Sequence, residues 1–200
     1  MKVETGKEVL RIRLKDRRNS LSATEVENKS HAICTFLSLH PAFLAAGTLG
    51  AYLPIAKEVD PRPLFPLAVS EGKNLFLPWL EHGNRRLSFV PYRPGFPLER
   101  GPFGIMQPLQ DGSVSPVRAV PGLDLLLLPL LGFAATGYRL GFGGGYYDRF
   151  LEKVESRPFL LGLAYNCQQV DELPVESHDI PLDGVVTESG VRLFSGMRTS

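Results

Sequence analysis

Cysteine is scarce. Two thiols in 200 residues cannot make a disulfide framework, and a chain this long can bury a core without one, so Cys34 and Cys167 read as ordinary buried or half-buried thiols. An excess of one charge is missing too. Lys and Arg total 22 against 21 Asp and Glu, and the formal charge of +1 gives no electrostatic footprint for nucleic acid or an anionic membrane. Any anionic ligand must therefore be held by local groups. No apolar run approaches the roughly 18 residues a membrane span requires, and the charged start MKVETGKEVLRIRLKDRR lacks the apolar centre of a signal peptide. These absences predict a soluble, cytoplasmic protein, monomeric by default, with neither nucleic-acid nor membrane partners. With 44% hydrophobic and 22% charged residues, one domain over 1–200 is expected.

Helical spacing runs from Thr5 to about His40, with Leu10, Leu14 and Leu21 on one side of the first stretch and basic residues on the other. Ser22 followed by Glu25 has the form of a capping box, which divides this stretch into two helices. After Pro41 the period shortens. Leu49–Pro54 reads as a buried strand, and Asp60-Pro61 offers an N-cap and a first-turn proline for a following helix. Further strands are expected at Asn74–Leu77, Leu87–Val90, Asp124–Leu131, Phe159–Tyr165 and Gly184–Thr187, with a helix over Tyr146–Val154. Such alternation predicts a three-layer α/β architecture with a mostly parallel central sheet flanked by helices, its sheet and site spanning about 48–195. The apolar run after Asp124 belongs at the sheet centre. From Val90 to Val120, repeated prolines including Pro91, Pro94, Pro97, Pro102, Pro108 and Pro116 predict a long ordered excursion that roofs a site.

The chemistry concentrates around Arg139-Leu-Gly-Phe-Gly-Gly-Gly-Tyr-Tyr-Asp148-Arg149. Gly141, Gly143, Gly144 and Gly145 let backbone N–H groups converge at a helix start, an arrangement suited to phosphate oxygens. The run lacks the Gly-Lys-Ser/Thr ending of a P-loop, and alone it reads equally well as a tight turn. Its setting favours a site: Arg139 precedes the glycines, two tyrosines follow, and Asp148 can hold a cation beside a phosphate. A second cluster, from Val170 to Asp183, gathers carboxylates and His178 on a connection; Asp179 is the preferred magnesium ligand, against a plain solvated loop. Lys7 and Arg11 share a helical face and can reach a polyphosphate, although the residues alone read more simply as a solvated basic face continuing through Lys15 and Arg18. Glu58 falls where open α/β sheets bind ligands, and its carboxylate suits the N–H groups of a heterocycle.

Read in order, Lys7-x-x-Leu10-Arg11, Glu58-Val-Asp-Pro-Arg-Pro-Leu64, Gly104-Ile-x-x-Pro108, Asp124 to Pro129, the Arg139–Asp148 segment and Leu173-Pro-x-Glu-x-His-Asp179 resemble the 5-formyltetrahydrofolate cyclo-ligase family over nearly the whole chain. The resemblance implies a Rossmann-like scaffold of the sugar-phosphate isomerase or CoA-transferase type. It also implies an ATP- and magnesium-dependent closure of 5-formyltetrahydrofolate, with or without a polyglutamate tail, to 5,10-methenyltetrahydrofolate, releasing ADP and phosphate. Carried over residue by residue, Lys7, Arg11, Arg139, Leu140, Gly141, Phe142, Gly143, Gly144, Gly145, Tyr146 and Tyr147 fall in the ATP site. Glu58, Phe142 and Tyr146 fall at the folate, Asp148 and Asp179 at the metal, and Arg139, Tyr146 and Asp148 at the reacting groups. Two positions depart from the family pattern: Gly144 stands where a lysine is common, and Gln107 where the pattern has glutamate. They leave a non-catalytic folate- or nucleotide-binding paralogue as the main alternative, with a sugar-phosphate isomerase-like enzyme permitted by fold analogy alone.

Overall fold

The computed structural model describes residues 6–81, 86–110 and 122–194. Thr5, residue 195 and the part of the proline-rich excursion containing Pro116 and Val120 lie outside the described residues. In chain order the elements are α1 (Gly6–Asn19), α2 (Ala23–Ser38), α3 (Pro41–Ala45), β1 (Thr48–Gly50), α4 (Leu64–Ser70), β2 (Asn74–Leu80), β3 (Leu87–Pro91), β4 (Leu98–Arg100), β5 (Met106–Pro108), β6 (Leu125–Pro129), β7 (Gly132–Ala134), β8 (Arg139–Leu140), α5 (Tyr146–Leu151), β9 (Phe159–Leu163), β10 (Gln169–Val170), β11 (Gly184–Thr187) and β12 (Gly190–Leu193). Ser22 caps α2 through the reciprocal bonds its spacing with Glu25 predicts.

Seven strands form one sheet in the order β12-β11-β9-β6-β1-β2-β3. The five inner strands run parallel, and β3 and β12 run antiparallel at the edges. Strand β6 explains the layering. Successive side chains of a strand point to opposite faces, so Leu125 and Leu127 join α2, α3 and α4 in one core, while Leu126 and Leu128 join α5 in the other. All four leucines are fully buried, and each contributes about 1.5–3 kcal/mol of transfer free energy. Two neighbours flank β1: β2, the next strand in sequence, on one side and β6 on the other. The carboxyl ends of β1 and β6 thus part at a topological switch point, where a parallel sheet opens a crevice. A smaller sheet, β10-β7-β8, supports α1 through Leu14, Leu131, Ala134, Leu140 and Val170.

Several expected boundaries shift. Strand β1 ends at Gly50 rather than Pro54, and the chain then leaves the sheet to form a wall of the crevice. Helix α4 starts at Leu64, because Asp60 does not cap it at Pro61. The Asp60 carboxylate instead accepts the Arg62 amide at 3.0 Å and pairs with its guanidinium at 2.6 Å, closing a turn. Strands β6 and β9 stop at Pro129 and Leu163, short of Leu131 and Tyr165, and α5 stops at Leu151 rather than Val154. Strand β2 extends past Leu77 because Pro78 lies beyond the last β1 pairing at Phe76, so its missing N–H leaves no β1 partner unpaired.

The described part of the proline-rich excursion is an antiparallel ribbon, β4 with β5, fastened by Gln107 to Leu80 at the end of β2. The buried Gln107 amide accepts from the Leu80 amide at 3.0 Å and donates to Glu99 Oε1 at 3.2 Å. This position needs a donor and an acceptor together. A carboxylate would face Glu99 with its own charge, which gives Gln107 a structural reason. Gln107→Glu should lower stability by about 1–3 kcal/mol at neutral pH. The deficit should shrink on acidification as the introduced carboxyl takes up a proton beside Glu99. Denaturant unfolding at two pH values measures both effects.

Candidate functional site

At the switch point lies a cavity of about 470 Å³, within the usual range for small-molecule sites. Its walls come from eight stretches of chain: α1 gives Lys7 and Arg11, the segment after β1 gives Tyr52 to Glu58, β2 gives Pro78 and Leu80, β3 gives Leu87, the β4–β5 ribbon gives Phe103, Ile105 and Gln107, the end of β6 gives Pro129, the Arg139–Asp148 segment gives the floor, and Glu176 to Asp179 close the rim. Every candidate site residue of the sequence analysis lines this one cavity. The glycines make the close approach possible. Gly143 and Gly145 adopt positive φ of 94° and 62°, a region that strains residues with a Cβ, and the Arg11 guanidinium packs against Gly143 while donating to the Gly141 carbonyl at 3.0 Å.

The acidic residues are engaged by cations of the same cavity. Arg139 donates to Asp148 Oδ1 at 2.7 Å and to the Ile180 carbonyl, and the Ile180 amide in turn approaches Asp148 Oδ1 at 3.4 Å. Asp148 on α5 and Asp179 on the far loop are therefore brought together. Lys7 reaches from α1 to Asp179 at 2.9 Å and Glu176 at 3.2 Å. Burial opposes ionisation of Asp179, but the Glu176 amide and the Lys7 ammonium outweigh it and hold its carboxyl below the usual range. His178 pairs with Glu176 at 3.2 Å at the exposed rim.

Glu58 is placed differently. The chain turns through Ala56, at φ 52°, so that the Glu58 carboxylate accepts the Ile55 amide at 2.9 Å and closes its own turn. Only 4% exposed, it is pushed above the ordinary carboxylate range by burial, partly offset by the Ile55 amide and Arg18. The basic run of α1 places Arg18 on a solvated face; the structure buries it to 2% exposure beside Glu58, whereas Lys15 is exposed. Lys7, Arg11, Leu14 and Arg18 follow the 4-3-4 spacing of one helical face. That spacing is the signal which identifies the missed residue.

Gly144 is also accounted for locally. A Cβ there would meet the Tyr146 ring carbons at 2.6 Å. Arg149, one turn into α5, donates to the Gly144 carbonyl at 2.7 Å and stacks over Tyr146 at 5.2 Å. A guanidinium thus stands against the Gly144 carbonyl and over the Tyr146 ring. Phe103 closes on Tyr146 edge-on from the ribbon, at 6.2 Å between centroids.

A crevice at the carboxyl ends of a parallel sheet, combining a glycine turn with paired cations and carboxylates, defines an α/β protein equipped to bind an anionic small molecule. The chain belongs to the 5-formyltetrahydrofolate cyclo-ligase family, a ligase family, whose model matches residues 3–188. It is 35% identical over 184 residues to the 5-formyltetrahydrofolate cyclo-ligase of Escherichia coli K12, covering 89% of this chain and 98% of that one. The NMR structure of Aquifex aeolicus 5,10-methenyltetrahydrofolate synthetase superimposes with a TM-score of 0.79 at 36% identity, covering 97% of this chain and 95% of that one. A 5,10-methenyltetrahydrofolate synthetase from Mycoplasma pneumoniae shares the fold, with a TM-score of 0.70 at 24% identity over 92% of this chain and 99% of its own.

The Lys7–Asp179 pair generates a stability prediction. The folded Asp179 carboxyl is depressed, so its contribution is present above its unfolded value of about 3.9 and is lost as pH falls through the folded value. With both groups partly solvated, the pair should contribute no more than about 1 kcal/mol. Asp179→Ala should lower the melting temperature by about 2–4 °C at pH 7 and by progressively less below pH 4, as followed by thermal unfolding.

Proposed function

We propose that this cavity closes 5-formyltetrahydrofolate to 5,10-methenyltetrahydrofolate at the expense of ATP, releasing ADP and phosphate. The observation that carries the reading is the convergence on one cavity of Lys7, Arg11, the Arg139–Tyr147 segment, Glu58, Asp148 and Asp179. A formamide carbon is a poor electrophile, so its oxygen must first be made a leaving group. The formyl oxygen attacks the γ-phosphorus, forming an O–P bond as the bond to ADP breaks. Folate N10 then adds to the resulting iminium carbon and loses its proton, and the C–O bond breaks to release phosphate.

This chemistry asks for no enzyme nucleophile. The protein aligns the reacting atoms and neutralises charge. Lys7, Arg11 and the amides of Gly141 to Gly145 are assigned to the phosphates, and Arg149 supplies at Gly144 the charge that a lysine carries elsewhere. Glu58 is assigned to the pterin N–H groups, with Phe142 and Tyr146 bordering both ligands and Tyr146 packing on the folate. Arg139 holds Asp148 in position.

Magnesium fits this donor set. No group of three or more His, Cys, Asp or Glu able to hold a metal occurs among the described residues, so no all-protein cage is built there. Two carboxylates at adjoining positions, Asp148 and Asp179, instead match an ion that takes one or two carboxylates and completes its shell with water and phosphate oxygens. Bound there, magnesium would offset phosphate charge. No helix among the described residues is long and apolar enough to cross a membrane; a cytoplasmic monomer is the proposed form.

Purified protein mixed with 5-formyltetrahydrofolate and MgATP should develop the methenyl chromophore, with one ADP formed per folate closed. Without ATP no chromophore should appear. Asp148→Asn should lower kcat at least about 100-fold while the protein stays folded. An ATP-independent signal, or full activity in the variant, would overturn the assignment; nucleotide binding without turnover would select the non-catalytic paralogue.

A further inference from the structure

The most unusual charge in the molecule lies just behind the cavity wall. Arg18, in the last turn of α1, is 2% exposed, and its Nε and Nη1 have no hydrogen-bond partner among the described residues. Its charge is met by Glu58, Nη1 to Oε1 at 3.5 Å, and by the face of Phe142, with Cζ 5.5 Å from the ring centroid. A buried ion pair with unsatisfied donors is a poor way to stabilise a fold, since desolvation offsets most of the attraction. An apolar side chain would pack there at less cost. The pair does something else: it sets a charge beside a ligand cavity.

Glu58 is held from several directions. The Ile55 amide takes one carboxylate oxygen and Arg18 faces the other. Tyr165 donates to the Glu58 carbonyl at 3.2 Å, and the Tyr52 and Tyr147 phenols lie close enough to feel the carboxylate charge. Among these groups Arg18 alone is a cation. Without it the carboxyl would sit in a desolvated pocket among phenols, where the neutral acid is favoured. A protonated acid can no longer accept with both oxygens from the N–H groups of a heterocycle.

We propose that Arg18 is a positioning residue for folate recognition, holding the Glu58 carboxylate ionised at the cavity wall and, through Phe142, fixing the glycine turn against it. This rests on the reading of Glu58 as the pterin-binding carboxylate. The guanidinium joins three segments: α1, the turn after β1 and the glycine turn before α5. It acts through Glu58 and touches neither ligand.

The test is the pH dependence of 5-formyltetrahydrofolate affinity and KM in the full-length protein, with KM for MgATP measured in parallel. Arg18→Met should raise the folate KM about tenfold or more at pH 7.5 and move the acid limb of folate affinity upward by about one pH unit, with KM for MgATP changed less than about threefold. Arg18→Lys, which keeps the charge and loses the guanidinium over Phe142, should leave the acid limb in place and raise the folate KM by only a fewfold. If Arg18→Met fails to fold, Arg18→Lys decides: an unmoved limb with the folate KM selectively raised supports the role, and an unchanged folate KM overturns it. Folded Arg18→Met with wild-type folate KM and an unmoved limb would overturn it, as would equal losses for folate and MgATP in both variants. Failure of the wild-type protein to bind 5-formyltetrahydrofolate would overturn the Glu58 reading together with this one, whereas wild-type binding with indifferent Arg18 variants would overturn this one alone.

Discussion

One guanidinium holds the site together. Arg139 leaves β8 buried to 6% side-chain exposure and bonds at once to the Asp148 carboxylate on α5 and to the Ile180 carbonyl on the loop before β11. The two ends of the glycine turn and a loop some way along the chain are joined at one corner. The glycine turn runs between two of them, so its amides are aimed by the ends that Arg139 fixes. The planar fork of arginine is needed for this double contact, and the point charge of a lysine would not replace it.

The corner also sets the electrostatics of the cavity. A chain with a net charge of +1 has no long-range field to attract a triphosphate, yet the cavity is lined by Lys7, Arg11 and Arg139. Two of these cations are matched by Asp179 and Asp148 at 2.9 and 2.7 Å. Such pairing avoids leaving like charges unopposed in a partly desolvated pocket. In the proposed reaction a magnesium ion would offset only part of the nucleotide's charge, and the complex would enter as a net anion. The remaining negative charge would fall to Lys7, Arg11 and Arg139, while Asp148 and Asp179 would be the residues to hold the metal.

Much of this was legible in the sequence because its signals are local. The four leucines of β6 announce a strand buried on both faces, the Ser22–Glu25 pair announces a helix start, and the glycines before Tyr146 announce a backbone that must approach something closely. The strands β7, β8 and β10, two or three residues each, are too short for any periodicity to register. The Asp60-Pro61 signal misplaced the start of α4 because a nearby arginine competes for the aspartate. Arg18 was assigned to solvent because charge in a basic run outweighed its place on the Lys7–Arg11–Leu14 face, and only the packing of α1 against the turn after β1 makes that face interior. Gln107 and Gly144 departed from a family pattern because of side-chain contacts that the residue types alone do not announce, with Glu99 on the paired strand and with the Tyr146 ring two residues on.

In the proposed function the glycine turn, Asp148 and Asp179 would surround one metal-bound triphosphate. Paramagnetic broadening of backbone NMR signals by manganese, added with a non-hydrolysable ATP analogue in place of magnesium, measures this directly. The amides of residues 141–145, 148 and 179–180 should broaden together, and far less when manganese is added without the nucleotide. Broadening centred elsewhere, or confined to one of the two aspartates, would contradict it.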